Sequence, residues 1–180
     1  MKAFLHNLIL LLAVLTCSCK DTTAGPGEAS RARMFLESEY MNNSWGYAHW
    51  GWVIDTAGNI VSYDIGKSGN DWRGNPGGYY TEQELLAKVD HCDTLRGSIP
   101  SDTLLWLRGL AATVGETYSD TLRVGADMGA LVRSCYIFDP DSSKYHQVVL
   151  RVTGDYQYHN TSPGAVALAD WIDRQRPTGN

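Results

Sequence analysis

The sequence predicts an α+β domain: a mainly antiparallel sheet, built from an N-terminal strand and two hairpins, with about three helices packed on it. Three observations lead there. Two pairs of aromatic and β-branched runs are each joined by turn chemistry. Three stretches place helix-start residues ahead of a helical apolar stripe. Strands and helices are segregated along the chain rather than strictly alternating, as they would be in a parallel sheet. No internal repeat appears in the 180 residues.

The first strand is assigned to 33–42, where Met34, Leu36 and Tyr40 interleave with Glu37 and Glu39. The aromatic centre of the chain follows. Runs 47–55 and 60–65 flank Asp55-Thr-Ala-Gly58, with Asp at a turn start and Gly where a left-handed residue is needed. Alternation puts Ala48, Trp50, Trp52 and Ile54 on one face, the better core, and Tyr47, His49, Gly51 and Val53 on the other. Gly51 has no side chain to pack, and in an aromatic strand it lets a ring lie over the backbone or marks a bulge.

Residues 66–80 contain five glycines and no hydrophobic period. Gly66-Lys-Ser68 mimics the end of a phosphate-binding loop, but Val61 stands where that motif needs glycine and no helix signal follows, so the motif is rejected. Glycine-rich loops of this length in a compact domain are often functional. Trp72 and Arg73 can stack and hydrogen-bond, and with Tyr79 and Tyr80 they are the binding candidates.

Thr81-Glu-Gln-Glu84 is a capping box opening a helix with Leu85, Leu86 and Val89 inward. Pro100-Ser-Asp102 opens a second, striped by Leu104, Leu107, Ala111 and Val114 and ended by Gly115. Runs 131–138 and 145–153 make the second hairpin across Asp139-Pro-Asp-Ser-Ser143. Gly154-Asp155 breaks its second strand. Ser162-Pro163 supplies cap and first helical residue for a last helix with Val166, Ala169, Trp171 and Ile172 inward.

Ahead of the domain, Lys2 precedes the apolar run 8–15, which is too short to span a bilayer and reads as a secretory signal. Cys17-Ser-Cys19-Lys-Asp21 follows it. Here the chain resembles bacterial lipoproteins, whose lipobox ends in the cysteine that is acylated. Cys19, preceded by Ser18, is the better fit, and Cys17 is the alternative. The resemblance implies a signal peptide over 1–18, a lipidated flexible tether over 19–32 and a single domain over 33–176. With Lys20 rather than Asp after the cysteine, it implies anchoring in the outer membrane. Trp45-Gly-Tyr47, the hairpin from Ile54 to Ile60 and Gly154-Asp155 also resemble uncharacterised bacterial lipoproteins, a likeness that implies no activity.

The whole chain carries a net charge of −5, which becomes −6 once Lys2 leaves with the leader. No Lys/Arg cluster stands out, which argues against nucleic acid and anionic lipid as ligands of the domain. Cys92 and Cys135 form an even pair that an oxidising compartment would join, constraining the unfolded chain by about 4 kcal/mol. No cofactor motif and no metal-ligand spacing occurs; Asp90, His91 and Asp93 read as a solvated helix end.

The expected function is therefore a lipid-anchored envelope protein whose domain binds a protein or peptide, an inhibitor or immunity role against a basic partner being one form. An envelope hydrolase is the alternative, using Cys92 or a pair formed by a carboxylate with His49, His91, His146 or His159. A purely structural envelope component is the third.

Overall fold

A computed structural model describes residues 34–44, 46–65, 75–90, 92 and 94–175. The described residues form nine strands and three helices: β1 (Met34–Asn42), β2 (Ala48–Ile54), β3 (Asn59–Asp64), β4 (Tyr79–Tyr80), α1 (Glu82–Asp90), β5 (Thr94–Ser98), α2 (Ser101–Ala111), β6 (Leu122–Arg123), β7 (Ala130–Asp139), β8 (Lys144–Gly154), β9 (Tyr156–His159) and α3 (Pro163–Arg174). All pair antiparallel in one sheet of order β5-β3-β2-β1-β7-β8-β9-β6, with β4 on β8. The α+β reading with a mainly antiparallel sheet holds, and the first strand lies at the sheet's centre between the two hairpins.

Local chemistry explains the joints. In the first hairpin Asp55 Oδ1 accepts from the backbone N–H of Ala57 and Asn59, and Gly58, at φ 90°, donates its N–H to Asp55 O at 3.0 Å. The capping box forms as expected, Glu84 Oε2 accepting from Thr81 N and Thr81 Oγ1 accepting from Glu84 N. Ser162 stands at the N-cap of α3, but its hydroxyl accepts from Gly115 N instead of capping the helix.

Both faces of the sheet are covered, which corrects the expectation of one better core face. α2 and α3 pack on one side against Leu36, Trp52, Ile54, Cys135 and Leu150. α1 covers the other, where Phe35, Val53, Tyr63, Tyr136 and Tyr145 form an aromatic layer with Leu85. Leu86 of α1, expected inward, is exposed; Lys88 is buried instead. α3 is clamped to the sheet by charge: Asp173 accepts from buried Arg133 at 2.8 Å and from Arg151 at 2.7 Å, and Arg151 also reaches Asp170.

These two faces decide the cysteines. Cys135 belongs to the α2/α3 layer and Cys92 to the α1 layer, so the sheet stands between them and the expected bridge is not formed. Disulfide geometry needs Cβ atoms about 3.8 Å apart, which opposite faces cannot provide. Cys92 Sγ instead contacts Lys88 O at 3.6 Å. Burial pushes the Cys135 thiol up to about 12. Cys135 is accordingly expected to resist thiol reagents in native protein and to react once urea unfolds it; rapid labelling of Cys135 in the native state would contradict this placement.

Candidate functional site

Strand parity on β1 puts Glu37 and Glu39 on the α1 side, facing His49 and Gly51 of β2 and Tyr63 of β3. Because that side is covered, carboxylates that alternation alone would send to water are enclosed. Glu37 is 1% exposed and answers the cost of burial with three contacts: Tyr63 Oη donates to it at 2.6 Å, Tyr136 Oη donates at 2.5 Å, and Lys88 Nζ forms an ion pair with it; the Lys88 ammonium also sits over the Tyr63 ring. A buried charge held this way is fully paired, as burial requires.

Glu39 continues the array towards the surface. Its Oε1 lies 2.5 Å from His49 Nε2 and 3.4 Å from Tyr63 Oη. Burial acts to raise the Glu39 carboxyl, but the hydrogen bond from His49 and the charge of Lys88 outweigh it and hold it below its usual value. An ionised carboxylate only accepts, so Nε2 carries a proton. In the neutral imidazole Nδ1 then accepts from Tyr47 Oη, 2.8 Å away. Tyr47 is 56% exposed and His49 3%, so a surface phenol rests on a buried imidazole, which rests on a half-buried carboxylate.

The array has a pH signature. Burial, and then the charge of Glu37, push the Tyr63 and Tyr136 hydroxyls well above their ordinary value of 10.0. The folded protein therefore keeps both phenols neutral where the unfolded chain would ionise, and stability present below about pH 10 is lost as pH rises beyond it. Glu39 works at the other limb: its contribution is present above about pH 4.5 and is lost as pH falls below that. Urea midpoints measured across pH are expected to fall on both limbs, and a flat alkaline limb would mean the phenols are not enclosed.

Tyr47 belongs to a larger exposed margin. The chain enters the sheet at Met34, and β1 runs roughly 27 Å to Asn42. Register places Ala48 of β2, the turn before Ala130 and the Gly154–Asp155 bend at that far end. Along that end of the sheet stand six large apolar side chains with 45% to 62% exposure: Tyr47, Trp50, Leu122, Val124, Met128 and Tyr156. They are held in place. Trp50 stacks on Tyr40 at 5.0 Å, Tyr40 Oη donates to Met128 O, and Asn42 Nδ2 donates to Asp127 O. Asp155 Oδ1 accepts from Met128 N, and Asp155 O from Val124 N. Beside Leu122 a groove of about 430 Å³ runs between the β6 approach and β8–β9, lined in part by Asp120, Gln157, Tyr158 and His159.

Of the binding residues expected from the sequence, the two that are described, Tyr79 and Tyr80, do not lie on this margin. Trp72 and Arg73 lie outside the described residues, as do Cys17, Cys19 and His91. Tyr80 is a core residue, 2% exposed, with its hydroxyl donating to Gln147 and accepting from Asn75 N. Burial in the aromatic layer is the reason it is unavailable as a binding side chain. Tyr79 is exposed, but at the end of β8 near the chain's entry, stacked on His146 at 4.5 Å, with Glu116 3.4 Å from that imidazole. Nor do the described hydrolase candidates converge: Cys92, His49, His146 and His159 occupy separate places, and both ring nitrogens of His49 are engaged. Among the described residues no group of His, Cys, Asp and Glu could hold a metal. The two exposed rings could have been found in the sequence by noting that Tyr47 stands just before β2 and Trp50 near its start, where a strand leaves the core. No family model, no curated protein and no solved structure matches this chain.

Proposed function

We propose that this protein is a lipid-anchored binding protein of the bacterial cell envelope, acylated at Cys19, held at the outer membrane, and docking a protein or peptide partner through the far margin of its sheet. The anchoring part rests on the residues of the leader. The docking part rests on one observation: rings that a monomer gains nothing by exposing are held rigid at the surface. Tyr47 stands on the His49–Glu39 pair and Trp50 on Tyr40. Rings immobilised before contact lose little entropy on binding, which is what a binding anchor needs. The catalytic reading has no matching support, because the acids and bases of the array are spent on each other.

Site-specific photo-crosslinking in cells carrying the full chain tests this. A crosslinker at Met128 is expected to capture a discrete envelope partner, and one at Leu105 on α2 none; Trp50→Ala should abolish the Met128 product. Equal products from both positions would sink the docking reading. Cys19→Ala should release the protein from the membrane fraction, whereas release by Cys17→Ala alone would move the acylation site.

A further inference from the structure

Resting on that docking reading, we infer that the far margin takes an extended, cationic segment of a partner protein, one that alternates Lys or Arg with apolar side chains. Four features of the margin point to this chemistry. Its aliphatic members, Leu122, Val124 and Met128, offer nothing to a sugar but complement apolar protein side chains. Its charge is negative: Asp120, Asp127 and Asp155 lie along it against the guanidinium of Arg123, while Arg151, which also lines the groove, is paired with Asp170 and Asp173. β6 ends the sheet order and has one strand neighbour, β9, among the described residues, so its outer backbone edge can accept an added strand. The groove next to Leu122 has Tyr158 in its wall and Asp120 beside it, which suits a long side chain that lays an aliphatic stem on a ring and brings its cation to a carboxylate.

The same observations weigh against other occupants. An anionic bilayer would meet three aspartates, and the margin lies at the end of β1 remote from where the chain enters the sheet. A second copy meeting this margin through a two-fold axis would set like charges against each other. Addition of an edge strand supplies backbone hydrogen bonds, while the alternate side chains supply the choice of partner. The Lys or Arg spacing of two residues follows from the strand period.

The test uses the full chain and two fluorescein-labelled peptides, one alternating Lys with Val and Leu, the other carrying Glu in place of Lys. Fluorescence anisotropy is expected to show the Lys peptide binding at least about tenfold more tightly than the Glu peptide, with the preference shrinking as salt is raised. Leu122→Ser with Met128→Ser, and separately Asp120→Asn, should each weaken the Lys peptide, while Leu105→Ser with Trp106→Ser on α2 should not. Asp120→Asn changes only an exposed side chain, so it keeps the test decisive if the margin variant folds poorly. Equal affinity for the two peptides would overturn the inference. So would margin-dependent binding to phosphatidylethanolamine–phosphatidylglycerol vesicles or margin-dependent dimerisation in place of peptide binding. If crosslinking at Met128 captures a partner while the two peptides bind alike, the cationic assignment falls and the docking reading stands; if crosslinking captures none, the docking reading falls first.

Discussion

Glu37→Ala is expected to destabilise the fold by about 3–5 kcal/mol, read as a lowered urea midpoint with little change in slope. The reason is what the substitution leaves behind. Lys88 is 4% exposed and loses the carboxylate of Glu37, and the Tyr63 and Tyr136 hydroxyls lose the carboxylate to which they donate. Orphaned donors in a closed layer cost more than the original bonds contributed. Glu37→Leu combined with Lys88→Leu should recover about half of the loss, since it removes both charges but leaves the two phenols without this acceptor. A loss below about 1 kcal/mol for Glu37→Ala would mean that water reaches the array and that Glu37 does not organise that face.

Gly51→Ala is expected to cost about 3 kcal/mol, at the upper end of what one added carbon does in a packed interior. A Cβ at this position would lie 2.5 Å from Ser38 O and 2.7 Å from Tyr63 Oη. The first contact is backbone in the paired strand β1, which cannot yield without breaking the β1–β2 register. The second is the hydroxyl that donates to Glu37. Gly51→Ala should therefore also flatten the alkaline limb of stability, because a displaced Tyr63 is no longer enclosed. An unchanged urea midpoint would show that the strands can part locally at no cost.

What was legible in the sequence was whatever is specified by neighbours along the chain. Asp55 and Gly58 announce the first hairpin, Thr81 and Glu84 the first helix, and Ser162-Pro163 the last, because each feature is a bond or a backbone preference within four residues. β4, β5, β6 and β9 were not legible. They run from two to five residues, and only the partner to which each is hydrogen-bonded makes it a strand. The polar array was hidden for a related reason. Alternation on β1 separates Leu36 from Glu37 and Glu39, but it cannot say that a second layer covers the charged side. Its one signal was Lys88, three residues after Leu85 on the inward face of α1. The cysteines failed on the same point, since spacing along the chain carries nothing about which face of a sheet each will occupy. Of the expected binding surface, Tyr79 proved accessible and Tyr80 did not, and the better-formed margin draws on residues scattered from 47 to 156 that no local pattern connects.

β1 is the first of the described strands to be made and a central strand of the finished sheet. Its flank towards β2 can be completed within a short stretch of chain, but its other flank waits for β7: Glu37 meets Tyr136, 99 positions later. While the polypeptide is being made, the hairpin side of β1 can pair early, yet Glu37 still lacks one of its donors and the opposite edge stays open. The sheet's centre therefore closes late, after most of the domain has been synthesised, and folding should be slow and nearly all-or-none. A chain truncated before residue 130 would hold the first hairpin, both early helices and a central strand open on its β7 side, a species whose open edge invites association with another chain.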